Sequence, residues 1–166
     1  LFEVEEISSA LIFARTRVGT GNLANQLVQR GILAEALNGD LSQEARERVL
    51  RRFRNNQITV LVATDVAARG LDIDDISHVF NYDLPDEAEV YVHRIGRTGR
   101  AGEQGDAISI IGPKDWLNFK KVEAFVQQKI CFARVEGINP KFTGIKEKQP
   151  NRVKQKGSGT ITKKKA

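Results

Sequence analysis

The sequence predicts an α/β domain built on a parallel β-sheet with helices on both faces. Short apolar runs, such as Ala10–Ala14 and Thr59–Thr64, alternate along the chain with helical patterns. Because these runs are apolar at nearly every position, they are typical of strands that are buried on both faces. The chain has 166 residues, which is long enough for one domain with a substantial core.

The first predicted strand, Ala10–Ala14, is followed by a helix from about Asn22 to Arg30. Leu23, Leu27 and Val28 fall on one face of this helix, and we expect that face to pack on the sheet.

The second predicted strand, Ala34–Leu37, leads through a turn at residues 38–40 into a helix from about Gln43 to Arg54. Ser42 immediately precedes this helix and is a favourable N-cap, because its hydroxyl can accept a hydrogen bond from a free backbone N–H. The positions expected to be buried are Val49, Leu50 and Phe53.

The second half of the chain predicts three more strands and two more helices. The run Thr59–Thr64 is the strongest strand signal, and His78–Tyr82 predicts the next strand. A helix at Ala88–Ile95, a strand at Ala107–Ile111 and a helix at Lys114–Lys129 complete the order. Apolar strands that are separated by helices indicate a parallel sheet covered on both faces.

The alternation of strands and helices stops at about Cys131, so we expect a domain at residues 1–130 and a variable tail at residues 131–166. Lys141–Ala166 carries nine Lys and Arg against one acid, whereas Leu1–Pro140 carries 17 against 20. With few large apolar residues, the tail cannot bury enough surface to fold by itself, so we expect it to be flexible. Its lysines favour diffuse attraction to a polyanion, whereas the domain is rich in arginine.

Several classes of site are disfavoured by composition. A single cysteine, Cys131, excludes an internal disulfide and a cysteine metal cluster, and is typical of the reducing cytoplasm. Two histidines are too few for a histidine metal site, so no metal ligands are assigned. No run is long enough for a membrane span, and no G-x-x-x-x-G-K-[ST] phosphate loop is present. The chain begins with Leu1, and we expect it to be a fragment.

The run from His93 to Gly102 is the most informative segment of the chain. Arg94, Arg97 and Arg100 recur at every third position, and glycines between them allow the backbone to approach a ligand. The planar, forked guanidinium suits bidentate binding of phosphate, so the run indicates a phosphate site. The alternative is a solvated surface patch that is neutralised by nearby carboxylates.

Further polar residues follow the ends of the predicted strands, where ligands bind in open parallel sheets. In the segment from Ala63 to Ile73, Thr64 could hydrogen-bond a phosphate and Asp72 could accept from a ribose hydroxyl. The alternative is that Asp65 caps a short helix and Asp72 pairs with an arginine.

Gln43 and Arg46 lie one helical turn apart, so both could face one groove, or the arginine-rich helix could simply be solvated. The segment Gly19–Ala24 matches the dinucleotide pattern G-x-G-x-x-A. We reject that interpretation, because four residues separate the strand from the first glycine.

Together these segments resemble the C-terminal RecA-like domain of DEAD-box ATP-dependent RNA helicases, most of all bacterial members of the cold-shock type. Leu11–Arg17 resembles motif IV, Gly39–Arg46 the Q-x-x-R element, Ala63–Asp72 motif V and His93–Arg100 motif VI. The similarity extends from about residue 9 to 130. Asn38 stands where many members have histidine.

The resemblance implies roles on the nucleotide side. Arg97 and Arg100 would be arginine fingers on the γ-phosphate of ATP, and Asp72 would contact the ribose or organise the nucleotide site. His93 would contact the N-terminal RecA-like domain and couple ATP to RNA. ATP with Mg²⁺ would be bound mainly by that N-terminal domain, so this chain alone would be inactive.

The resemblance also implies a sequence-independent grip on the RNA backbone by Thr16, Gly39, Arg46, Thr64 and Gly70. Two alternatives remain open: a stand-alone RNA-binding module, and a DNA helicase or translocase of the same superfamily. For the tail, composition alone suggests an electrostatic tether for RNA.

Overall fold

The computed structural model describes residues 7–71, 73, 76–99 and 105–130, and seven single positions between 132 and 144. The predicted α/β architecture is confirmed: five parallel strands form one sheet in the order β2-β3-β1-β4-β5. The strands are β1 (Ala10–Phe13), β2 (Ala34–Leu37), β3 (Val60–Ala63), β4 (His78–Asn81) and β5 (Asp106–Ser109). All of them end at the same edge of the sheet, which we call the carboxyl edge.

The described helices are α1 (Arg17–Gln29), α2 (Gln43–Arg54), α3 (Asp65–Ala68), α4 (Ala88–Ile95) and α5 (Trp116–Val126). The bounds of α2 and α4 agree with the sequence prediction. The short helix α3 has no predicted counterpart except as the alternative interpretation of Asp65, because four residues are too few for an apolar period.

Helix α1 begins at Arg17 instead of near Asn22, because Thr16 caps it. The Thr16 hydroxyl accepts a hydrogen bond of 2.9 Å from the amide of Gly19. Gly19 and Gly21 therefore lie inside the helix. Since neither glycine closes a strand–helix turn, the segment is not a dinucleotide fingerprint.

Alternate residues of the central strands face opposite layers, as the two-residue period of a strand requires. Leu11 and Phe13 of β1 face a cluster that includes residues of α2 and α3, and Ala10 and Ile12 face a cluster that includes Ala24 of α1. The sheet is thus covered on both faces, as predicted. Val28 is 53% exposed, so its expected burial is wrong. The buried residues of α1 are Thr20 and Ala24.

A third cluster joins α4 to α5 through Leu84, Ala88, Tyr91, Phe119 and Val122. Helix α4, which precedes the arginine-rich turn, is thereby held between the sheet and α5.

Trp116 at the start of α5 contacts aromatic residues from beyond the predicted domain boundary. Its ring lies 6.3 Å from Phe132 and 5.7 Å from Phe142, measured between ring centroids. The boundary at residue 130 and the flexible tail remain predictions, since most of residues 131–166 lie outside the described part of the chain.

The cap of α2 provides a test of the fold. The Ser42 hydroxyl accepts a hydrogen bond of 3.2 Å from the amide of Ala45. We expect Ser42→Ala to lower the free energy of unfolding by about 1 kcal/mol, because an N-terminal amide of α2 loses its partner. Urea denaturation measures the change. Ser8→Ala, at an exposed serine outside any helix, is the control, and equal losses in the two variants would contradict the capping role.

Candidate functional site

Thr16, Gly39 and Thr64 lie together at the carboxyl edge, because β1, β2 and β3 are adjacent in the sheet. Thr16 is the N-cap of α1 and Thr64 is the N-cap of α3. In each case the side-chain oxygen accepts a hydrogen bond from a backbone amide of the helix; Thr16 is exposed, whereas Thr64 is 8% exposed. Such an edge can present hydroxyl donors to a ligand that runs across neighbouring strands.

The loop that carries Gly39 is fastened to the start of α1. The side-chain amide of Asn38 donates to the Thr20 hydroxyl at 2.9 Å, and Arg17 forms an ion pair with Asp40. Gly39 lies between Asn38 and Asp40, which make these two contacts, and it is exposed. Its backbone is therefore open to a ligand at a fixed place beside Thr16.

Arg46 joins α2 to α3. Its Nη2 donates to the carbonyl of Ala67 at 2.7 Å, so the side chain leans toward the helix that Thr64 begins. Gln43 does not share this contact, because its amide donates to Glu47 on its own helix at 2.8 Å. The common groove for Gln43 and Arg46 therefore stays a prediction.

Gly70 turns the chain away from α3 toward the arginine-rich turn. Its φ is +70°, a left-handed conformation that favours glycine, and a Cβ there would meet no atom within 4 Å. The requirement for glycine is therefore torsional and not one of space. The next residue, Leu71, contacts Arg97 through its carbonyl.

Arg97 lies on the turn at residues 96–99 that follows α4. Its Nη1 donates to the Leu71 carbonyl at 3.2 Å, and the side chain is half-buried. The turn is held by Thr98, whose hydroxyl contacts the carbonyls of Ile76 and Ser77. His93 is exposed on α4. Asp72 and Arg100 lie outside the described residues.

Arg94 differs from Arg97 in being buried, with 3% of its surface exposed. Its Nε and Nη2 donate to the two carboxylate oxygens of Asp65 at 2.6 and 2.7 Å. Its Nη1 donates to Asn81 Oδ1 at 3.0 Å and to the Asp83 carbonyl at 2.7 Å. The guanidinium also lies 4.8 Å from the centroid of the Phe13 ring. We call these five residues the Arg94 network.

Most of this network was not predicted from the sequence. Asp65 was one candidate for a helix cap, but Thr64 is the cap and Asp65 pairs with Arg94. Asn81 and Asp83 had no predicted role. The available signal was a polar residue, Asn81, at the end of an otherwise apolar strand.

Among the described residues, no helix is long and apolar enough to cross a membrane. The same part of the chain holds no group of three or more His, Cys, Asp or Glu side chains that could bind a metal ion.

Comparison with known proteins shows to which family the chain belongs. Residues 1–102 match the family described as the helicase conserved C-terminal domain. The ATP-dependent RNA helicase CshA of Listeria monocytogenes is 47% identical over 130 residues, which cover 78% of this chain and 25% of CshA. The chain thus spans about a quarter of the length of this curated relative.

Two solved structures share the fold. The Escherichia coli DEAD-box protein SrmB, bound to regulator of ribonuclease activity A, is 40% identical with a TM-score of 0.83, over 88% of this chain and 86% of that one. A Saccharomyces cerevisiae Dbp5 variant bound to RNA and ADP BeF3 is 38% identical with a TM-score of 0.68, over 75% of this chain and 34% of that one. The fold is therefore RecA-like, and the chain belongs to the helicase C-terminal domain family, among the DEAD-box proteins.

Proposed function

We propose that this chain is the C-terminal half of an ATP-dependent RNA helicase, which unwinds or remodels RNA duplexes by hydrolysing ATP at the interface with an N-terminal RecA-like domain. One observation carries the proposal. Thr16 and Thr64 lie at the carboxyl edge of the sheet, and Arg97 donates to the carbonyl of Leu71, which follows α3 and Gly70 in the segment that Thr64 begins. An RNA strand and a phosphoryl group can thus be bound by adjoining segments.

On the RNA side, the proposed contacts suit a sugar-phosphate backbone. Hydroxyl groups, an exposed glycine backbone and a guanidinium bind phosphate oxygens without distinguishing bases, so binding is independent of sequence. The similarity of this chain to the Dbp5 variant, which is bound to RNA, supports this assignment. The proposed contacts are Thr16, Gly39, Arg46, Thr64 and Gly70.

On the nucleotide side, Arg97 and Arg100 contact the γ-phosphate and stabilise the negative charge that develops on it during hydrolysis. Asp72 contacts the ribose or organises this site, and exposed His93 reaches the N-terminal domain. A guanidinium fits phosphate and repels a divalent cation, so we assign Mg²⁺, like most contacts with ATP, to the N-terminal domain. When bound, ATP supplies the phosphoryl group, and this chain supplies charge and orientation.

We also propose that the protein acts in the cytoplasm, in keeping with its lone cysteine. Two rival functions make different predictions. A stand-alone RNA-binding module would give no ATP hydrolysis with any N-terminal domain. A DNA helicase of the same superfamily would be stimulated by DNA more than by RNA.

The arginine-finger role can be tested by mixing this chain with the ATP-binding N-terminal domain of a DEAD-box relative. We expect the chain alone to be inactive and the pair to show RNA-stimulated hydrolysis. Arg97→Ala and Arg100→Ala should each lower kcat about 10³-fold or more, because the developing charge loses its guanidinium partner. Phosphate release measures the rates with RNA and with DNA.

The matched control is Arg48→Ala, at an exposed arginine of α2 on another surface. It should retain full activity. Undiminished hydrolysis in the Arg97 or Arg100 variant, with a normal melting temperature, would contradict the finger assignment. Stimulation by DNA alone would favour the DNA helicase.

The basic tail gives a second test. Truncation after Gly144 removes eight Lys and Arg while leaving Phe142 in place against Trp116. We expect weaker binding of single-stranded RNA and a shallower salt dependence. The slope of log K against log salt should fall by about 0.7 for each lost phosphate contact. Fluorescence anisotropy at several salt concentrations measures both.

A full-length variant with these eight residues changed to glutamine keeps the chain length and removes the charge. It should behave like the truncated chain. Unchanged affinity and slope in both variants would refute the tether role.

A further inference from the structure

Arg94 is the one residue of the arginine run that the proposed function leaves without a task. A buried guanidinium is costly to keep out of water unless its N–H groups are paired. Here four hydrogen bonds and an aromatic ring compensate it, and no buried side-chain polar atom in the described part of the chain lacks a partner.

The partners of Arg94 come from separate parts of the carboxyl edge. Phe13 ends β1, Asp65 begins α3, and Asn81 ends β4. Asp83 follows in the next loop, and its carboxylate accepts a hydrogen bond of 2.9 Å from the backbone amide of Arg15. One side chain therefore connects segments that are far apart in sequence.

The connection runs directly between the two proposed ligand sites. Asp65 is covalently next to Thr64, on the RNA side. Arg94 is in the last turn of α4, three residues before Arg97 on the nucleotide side. The bidentate pair between Asp65 and Arg94 fixes orientation as well as distance, because two parallel hydrogen bonds resist rotation. A single-point donor such as lysine would not do so.

We propose that Arg94 is a positioning residue. Its bidentate ion pair with Asp65 couples the binding of RNA at Thr64 to the position of the Arg97 side chain. This inference rests on the proposed function. A shift of α3 on RNA binding is passed through the pair to α4, and the turn that follows α4 moves with it.

The test uses the chain alone, with its backbone amides followed by NMR as single-stranded RNA is added. In the wild type, we expect shift changes at residues 64–68 and also at 96–98. In Arg94→Lys, the changes at 64–68 should persist while those at 96–98 fall severalfold. Asp65→Asn, which keeps the size of the side chain, should act in the same direction and is the second variant if Arg94→Lys does not fold.

Asp86→Asn is the matched control. Asp86 forms an ion pair with Arg15 at 3.6 Å, on the surface and outside the Arg94 network. The Asp86→Asn variant should leave both sets of shift changes as in the wild type.

Hydrolysis of ATP gives a second measurement. With an N-terminal domain added, RNA stimulation of hydrolysis should fall about 2- to 30-fold in the Arg94→Lys and Asp65→Asn variants, which is the range of coupling effects of this kind. Hydrolysis without RNA should change little.

A failure of the coupling and a failure of the proposed RNA site would give different NMR results. Shifts at 96–98 that persist in both network variants, or that never occur in the wild type, would overturn the coupling while leaving RNA binding intact. No shifts at 64–68 in the wild type would overturn the proposed RNA site and this inference with it.

Discussion

The burial of one guanidinium constrains the whole functional edge. Arg94 can remain inside the fold only while Asp65, Asn81 and the Asp83 carbonyl all stay within hydrogen-bond reach. Removing one partner of a buried ion pair typically costs about 3–5 kcal/mol, because the other charge is left in a poor solvent. The ends of β1 and β4, the start of α3 and the end of α4 are therefore held together by the Arg94 network.

The parallel sheet determines where the proposed RNA contacts lie. Because every strand ends at the same edge, short loops suffice to bring Thr16, Gly39 and Thr64 side by side. The hydroxyl caps Thr16 and Thr64 begin the helices at this edge, and the same two residues are proposed contacts of the RNA backbone. The binding groups are thus parts of the secondary structure itself, which keeps them in place at little extra entropic cost.

The sequence was sufficient for most of the fold and for the location of the site. Short apolar runs located the five strands to within a few residues, although β2 contains Glu35 and β5 begins with Asp106. The bounds of α2 and α4 followed from their apolar periods. Pairwise contacts were harder to predict. The choice of Asp65 as partner for Arg94 depends on how β3 and β4 flank β1, which no local pattern encodes. The start of α1 was misplaced because Gly19 and Gly21 lower helix propensity, and the Thr16 cap overrides that preference.

The two ion pairs at this edge differ in their exposure to solvent. Arg17 and Asp40, which hold the Gly39 loop, have side chains that are 64% and 62% exposed, whereas those of Arg94 and Asp65 are 3% and 33% exposed. Dissolved ions screen the first pair much more than the second. Ionic strength therefore acts unequally along one continuous surface. As salt rises, the loop beside α1 loses its electrostatic anchor, while the junction of α3 and α4 keeps its geometry.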